Sequence, residues 1–420
     1  MVFAHRFTSA TLAFIILSAT ALWCHGAGGD WPQWRGPQRD AVSTETGLLG
    51  KWPAEGPALA WKTAEIGGGY AGVSIAEGRI YTMGDGADAC YVYALEEAGG
   101  KRLWAAKVGK TGGGGGYPGP RCTPAVSGDL VFALGQFGDL ICVEAATGTE
   151  NWRKNLEQDF AGQMMSGWGY SESPLVDGDN LICTPGGAEG TLVALNKRTG
   201  ELVWRSKEFT DKAAYSSVVP VAINGTRQYI QLTDESVAGV GADDGKLLWK
   251  APRKGATAVI PTPIFHDDCV YVTSGYGNGC NLFKITASGG AFTAEQVYAN
   301  KIMGNHHGGV ILMGDHLYGY SEGKGWVCQE FKSGKMIWSE KAKLGKGSIG
   351  YADGHFYLRL EAGKGTITLI EATPTGYVET GRFDPPDRSD KNSWPPPVIA
   401  AGRLYIRDQD TLLSYNIKAK

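Results

Sequence analysis

Short apolar runs separated by tight turns rich in Gly and Asp recur along the chain, and the phrase they make is repeated eight times: apolar run, turn, apolar run, and often a Trp near the close. The turns fall at Glu77-Gly78, Gly128-Asp129, Asp177-Gly178, Asn224-Gly225, Asp267-Asp268, Gly314-Asp315, Asp353-Gly354 and Ala401-Gly402. Successive turns lie roughly 40 to 50 residues apart, the size of one four-stranded propeller blade. In the second unit Pro124 to Val126 reads as an inner strand and Leu130 to Leu134 as the next; Leu140 to Glu144 follows, and the turn Ala146-Thr147-Gly148 leads to a last strand with Trp152. Runs this short, rich in Val, Ile, Leu and Phe and bounded by Gly, Asp and Pro, are expected of buried antiparallel strands in a meander. The pattern predicts an all-β chain folded as an eight-bladed β-propeller of four-stranded antiparallel blades.

The close of each unit is more specific. Thr147-Gly148 precedes Trp152, Thr199-Gly200 precedes Trp204, Asp244-Gly245 precedes Trp249 and Ser333-Gly334 precedes Trp338, while the first unit varies this as Gly99-Gly100 with Trp104. A glycine is expected there because hairpin turns of this kind need a residue at positive φ. On these residues, and most fully on Ala194, Asn196, Thr199, Gly200 and Trp204, the chain resembles the pyrroloquinoline-quinone (PQQ) repeat family of β-propellers. The resemblance runs from about residue 58 to 420 and implies that each Trp docks between neighbouring blades with its N–H bonded locally. The last unit reads as three strands, ending at Leu412 to Asn416, and Ala58 to Lys62 with Trp61 reads as the missing fourth. The two ends of the propeller are therefore expected to close the ring together, leaving no free junction. Tyr298 and Phe383 are expected to replace the Trp in the fifth and seventh units.

Ahead of the propeller, residues 1–27 read as a secretory signal: His5 and Arg6, then the apolar run Leu12 to Leu17, then small residues Ala19 to Ala21, with Ala27 a second cleavage point. The run is short for a span of about 20 residues, so no transmembrane segment is expected in the mature chain. Residues 28–57 read as an extended strap packed by Trp31 and Trp34, similar to a segment ahead of the propeller in exported PQQ-like proteins. These features point to an exported protein, periplasmic or extracellular, with association with the envelope as an alternative. Forty Lys and Arg against 43 Asp and Glu leave a formal charge of -3, which implies no nucleic-acid footprint and no polybasic membrane patch. Seven Cys remain after the signal, an odd number, with no Cys-x-x-Cys spacing for zinc or haem. Cys142, Cys183, Cys269 and Cys328 fall inside apolar strand phrases, where burial as small hydrophobes is expected.

Chemistry is sought in the connections that leave each fourth strand and converge on the central channel. Gly109-Lys110-Thr111 matches the end of a phosphate loop, but Trp104 occupies the required first Gly and a Gly run replaces the helix. Gly112 to Gly116 reads as a flexible connector, with a lid as the alternative. The connection from Asn155 to Ser173 carries Met165, Trp168, Tyr170 and Glu172, either a binding surface or a packed plug. His306 and His307 are adjacent on a segment read as extended, which sends them to opposite sides, so no shared metal is expected. The candidate ligand-binding set is Arg121, Trp168, Tyr170, Glu172, His306, His307 and Trp394, with Tyr70, Tyr215, Lys254 and Lys346 on the same expected rim. No catalytic residue and no metal site is assigned.

The resemblance implies two readings. The first is a scaffold or binding module that takes a protein, peptide or glycan at its rim, as a scaffold subunit of outer-membrane β-barrel assembly does. The second is a quinoprotein dehydrogenase acting on an alcohol or sugar with PQQ and calcium. The absence of an adjacent Cys pair and of an assignable Glu, Asn and Asp set opposes the second; Glu172 and Asn305 are its best-placed oxygen donors. No cofactor is expected on the first reading.

Overall fold

The computed structural model describes residue 1 and residues 29–419, so the expected signal segment lies, but for Met1, outside the described residues. Thirty-two strands form eight four-stranded antiparallel sheets. The second blade consists of Ala125–Ser127, Leu130–Leu134, Asp139–Glu144 and Glu150–Asn155, within a few residues of the pattern-based reading. Seven blades follow chain order. The eighth takes Val398–Ala400, Arg403–Asp408 and Thr411–Asn416 from the end of the propeller and its outer strand, Leu59–Thr63, from the start, with Trp61 opposite Ser414. Closure by strands from both ends leaves no unpaired seam in the ring.

The repeated Trp explains the glycine three residues beyond its partner. Trp61, Trp104, Trp152 and Trp204 each donate from Nε1 to a carbonyl of the next blade, those of Glu97, Ala145, Lys197 and Ala242, at 3.0–3.1 Å. The turn glycine that follows each acceptor, Gly100, Gly148, Gly200 or Gly245, has φ of 71–74°. A Cβ there would also lie 2.5–2.8 Å from the docked indole. Glycine thus answers both a left-handed backbone and a close approach. Tyr298 does replace the Trp, donating to the Phe331 carbonyl at 2.8 Å. Phe383 keeps only the packing: it meets Trp52 of the strap and Tyr415 of the eighth blade. Trp249 departs from the pattern and bonds Gln228 Oε1 of its own blade at 2.7 Å. The neighbouring fifth blade ends in a long hairpin, Gly279–Ser288 and Ala291–Asn300, whose turn at Gly289-Gly290 is displaced outward from the usual docking point.

The strap is not extended throughout. Between residues 33 and 41 it coils through three tight backbone bonds, Gly36 to Gln33, Arg39 to Gly36 and Ala41 to Arg35, with Arg35, Arg39 and Ala41 at positive φ. This coil enters the channel from the face that carries the Gly-Asp turns. Arg35 donates to the Val310 carbonyl of the sixth blade at 2.6 Å, and Arg39 to those of Ser173 and Pro174 beside the third. Both guanidiniums are buried, which pushes them down to about 10, and carbonyl acceptors replace the lost water. The strap then runs past Tyr351 and Thr380 to the closing strand. Among the described residues the one helix is Leu156–Phe160, capped by Asn155, in the connection between the second and third blades. No helix among them is long and apolar enough to cross a membrane.

Candidate functional site: the channel mouth

Each blade delivers one side chain to the mouth by the same count. Six residues before the end of each first strand stand Tyr70, Arg121, Ser171, Ser217, Ile260, His307, Lys346 and Trp394, and all eight line a single cavity of about 250 Å³. Strand ends are pinned by the tight turns that follow them, so a fixed offset from the turn becomes a fixed height in the channel. Tyr117, Trp168, Tyr215, His306 and Asn392 add width from the same connections, while Tyr276 and Glu361 come from turns between second and third strands. Trp34 of the strap supplies the floor, its Nε1 donating to Thr262 Oγ1 at 3.0 Å. The cavity is therefore closed below by the strap and walled by aromatic rings. Trp394 packs on Tyr70 with centroids 4.3 Å apart and on Tyr117 at 4.9 Å.

Charge is divided across this ring. Glu361 accepts from Trp394 Nε1 at 2.9 Å and lies 3.2 Å from Lys346 Nζ and 3.3 Å from His307 Nε2. Burial raises its carboxyl, but His307, Trp394 and Lys346 outweigh burial and hold it down at about 2, so it is ionised. His306 is bonded to Lys346 Nζ through Nδ1 and to the Tyr276 hydroxyl through Nε2. Burial, with His307 and Lys346 beside it, pushes His306 down to about 3, and burial likewise lowers His307. On the other side Arg121 donates to the carbonyls of Trp168 and Tyr117, each at 2.8 Å.

Five of the seven candidate residues meet in this cavity: Arg121, Trp168, His306, His307 and Trp394. Tyr170 and Glu172 do not. Tyr170 is 1 % exposed and its hydroxyl donates to the Pro185 carbonyl, while Glu172 is 2 % exposed and accepts from both the amide and the hydroxyl of Thr184 at 2.5 Å. Alternation along the connection explains it, since Ser171 takes the mouth position and its neighbours turn into the blades. The two histidines were expected to diverge; instead both face the cavity, with ring centroids 5.1 Å apart. The segment is bent rather than extended because Asn305 bonds both the amide and the carbonyl of Gly309. Tyr70, Tyr215 and Lys346 line the mouth, and Lys254 does not. The channel is plugged by the strap coil, while Met165 packs into the core of the fourth blade. The Gly run lies against Trp168, where a Cβ on Gly115 would meet the indole at 2.0 Å. Missed from sequence were Trp34, Tyr276 and Glu361; the count back from each turn identifies Ser171, Ser217 and Ile260.

A calcium site for a quinone does not fit these residues. Calcium takes six to eight oxygen ligands, yet the cavity holds one carboxylate, Glu361, already engaged by a cation and an indole N–H. Glu172 and Asn305, the expected oxygen donors, are consumed by Thr184 and by Gly309 and Tyr320. No group of three or more His, Cys, Asp or Glu suited to a metal occurs among the described residues. All seven Cys among them are free, and six are buried.

A family model described as outer membrane protein assembly factor BamB, of the PQQ-like repeat class, matches residues 88–340, more than half of the chain. The BamB of Shewanella oneidensis is 24 % identical over 254 residues, covering 57 % of this chain and 60 % of that protein. The BamB of Burkholderia pseudomallei is 26 % identical over 200 residues, covering 46 % and 48 %. The chain thus spans about half to three fifths of the length of these relatives. In structure it is similar to BamB from Moraxella catarrhalis, with a TM-score of 0.54, 15 % identity and coverage of 80 % of this chain and 94 % of that one. The quinohemoprotein alcohol dehydrogenase of Comamonas testosteroni gives a TM-score of 0.64 at 12 % identity, covering 94 % and 82 %, a likeness of fold. With its Trp-docked repeats and the matched residues together, the chain belongs to the PQQ-like repeat family whose model is described as outer membrane protein assembly factor BamB.

Proposed function

We propose that this protein is an exported binding module that holds a protein or peptide partner on the face bearing the channel mouth, in the service of outer-membrane protein assembly. The observation that carries the reading is a set of exposed aromatics on that one face: Tyr117 at 39 %, Phe137 at 39 % and Tyr276 at 41 % stand in turns and connections around the cavity. Large side chains left in water around a preformed concavity, with an Arg among them, are the composition of a partner-binding patch. The strap supports the reading as well, because a channel sealed by Trp34, Arg35 and Arg39 leaves one open face for contact. The names of the relatives supply the process, and the predicted signal supplies the compartment.

A photo-crosslinking amino acid in place of Tyr276 tests the proposal in envelope-intact cells. Crosslinks to an outer-membrane assembly component, lost when Tyr117→Ser and Phe137→Ser are added without a change in melting temperature, are expected. Crosslinks that persist in the double variant, or that form only from the outer strands of the blades, would place the binding surface elsewhere.

A further inference from the structure

We propose that the base of the mouth is a subsite for one uronic-acid residue, a pyranose ring bearing a single carboxylate, free or at the end of a glycan. The inference rests on the reading of this face as a binding face, but it concerns a different class of ligand from the protein partner.

The cavity carries one uncompensated cation. Lys346 is paired with Glu361 at 3.2 Å, and His306, pushed down by burial, is neutral. Arg121 has no carboxylate partner among the described residues; it is satisfied in part by two carbonyls, which leave guanidinium N–H groups unused. A guanidinium placed in this way selects one carboxylate.

Two further groups at the same height are unsatisfied. Ser171 Oγ and His307 Nδ1 are buried without a hydrogen-bond partner, and the His307 side chain is 6 % exposed. Ser171 is on the Arg121 side of the ring, and His307 is across the channel beside Glu361. A buried polar atom left unpaired costs about 1–3 kcal/mol, so a ligand whose hydroxyls pair these atoms is favoured, once a small side-chain rotation turns them from their shielded positions to the cavity. Hydroxyl groups donate and accept, and a ring that carries them around its edge presents partners in several directions. An aromatic carboxylate would serve Arg121 and leave His307 unmet.

Shape agrees with this assignment. Trp34, Tyr70 and Trp394 line the cavity with aromatic surface of the kind that packs against the C–H groups of a pyranose. A volume of about 250 Å³ lies below the roughly 300–1,000 Å³ of sites for drug-sized ligands, so the base takes one ring.

Calorimetric titration of the mature protein with D-glucuronate, D-glucose and benzoate tests the assignment, with Trp fluorescence as a second readout. Saturable binding of glucuronate is expected, with glucose and benzoate each at least about tenfold weaker. Arg121→Gln should remove the preference for glucuronate over glucose. Ser171→Ala, a smaller change that keeps the Arg121 contacts to Trp168 and Tyr117, should weaken both sugars several-fold at an unchanged melting temperature. Methyl glucuronoside separates the sources: retained binding identifies a chain end, and binding of the free acid alone identifies the monosaccharide. No saturable response to glucuronate in either form, or benzoate binding as tightly as glucuronate, would overturn the proposal. Because these titrations use no partner protein, their failure is distinct from a failure of crosslinking through Tyr276.

Discussion

Gly245→Ala and Trp204→Ala, made singly and together, test whether the seam glycine is required by its backbone alone or also by the docked indole. Trp204 is 7 % exposed and donates to the Ala242 carbonyl at 3.0 Å. Truncating a buried Trp costs about 3–5 kcal/mol, part of it the loss of that bond. Gly245 has φ of 72°, where an added Cβ costs about 1–2 kcal/mol in backbone strain. The new Cβ would also fall 2.5 Å from Trp204 Cε3, and moving an indole out of a packed seam adds about 1–3 kcal/mol. That second part vanishes once the indole is gone. The double variant should therefore be less destabilised than the sum of the singles by about 1–3 kcal/mol, well beyond the roughly 0.5 kcal/mol within which independent sites add. Gly354→Ala is the control, since φ is 76° but no atom lies within 4 Å of its Cβ position; it should cost only the strain and add to Trp204→Ala. Equilibrium urea unfolding followed by far-UV circular dichroism is the assay, because the substitutions alter Trp fluorescence. Additivity of Gly245→Ala with Trp204→Ala would refute the close-approach argument.

Three other outcomes are expected. Deletion of residues 58–63 removes the outer strand of the eighth blade and bares the edge of Thr411–Asn416, so a loss of several kcal/mol and self-association on size-exclusion chromatography should follow; an unchanged monomer would refute closure by this strand. Burial pushes Glu172 from 4.5 up to about 7 despite the Thr184 bonds, so its ionisation opposes folding, with no penalty below about pH 4.5 and the full penalty above pH 7. Glu172→Gln should raise stability at pH 8 by about 2–3 kcal/mol and lose that gain by pH 4.5, and parallel melting curves across this range would contradict the assignment. Burial pushes the thiols of Cys122 and Cys142 up to about 12 and that of Cys183 well up, whereas Cys269 is half-buried; mass spectrometry after alkylation of the native protein should find Cys269 modified first, and early labelling of Cys183 would refute the packing.

Local rules carried the architecture. A tight turn needs a glycine or a short polar residue whatever surrounds it, and a strand buried on both faces reads as an apolar run, so the blade count, the strands of the second blade and the pairing of Trp61 with the last strands were legible in residue order alone. Docking of the Trp between blades was implied by the resemblance to the PQQ repeat family, and Trp61, Trp104, Trp152 and Trp204 dock so, whereas Trp249 bonds within its own blade. Tyr298 was legible for the same reason, since its hydroxyl does what an indole N–H does elsewhere.

The mouth followed different rules. Within a connection the side that faces the channel is set by where the chain enters the next blade. Ser171 therefore points inward and Tyr170 and Glu172 do not, although all three share one stretch of sequence. Asn305 bends its segment so that both histidines face one way, a contact across four residues that adjacency does not reveal. Trp34 reaches the floor from a strap more than 200 residues away from Thr262, and Glu361, which meets Lys346 across the first hairpin of its own blade, reaches His307 only when the sixth and seventh blades stand side by side. Sequence by itself determined the repeating unit, its number and the way the ring closes, because those depend on turns and periodicity within a blade. Tertiary structure alone decided which side chains share the cavity and which charge is left unpaired in it, because those depend on distances between blades that no local preference encodes.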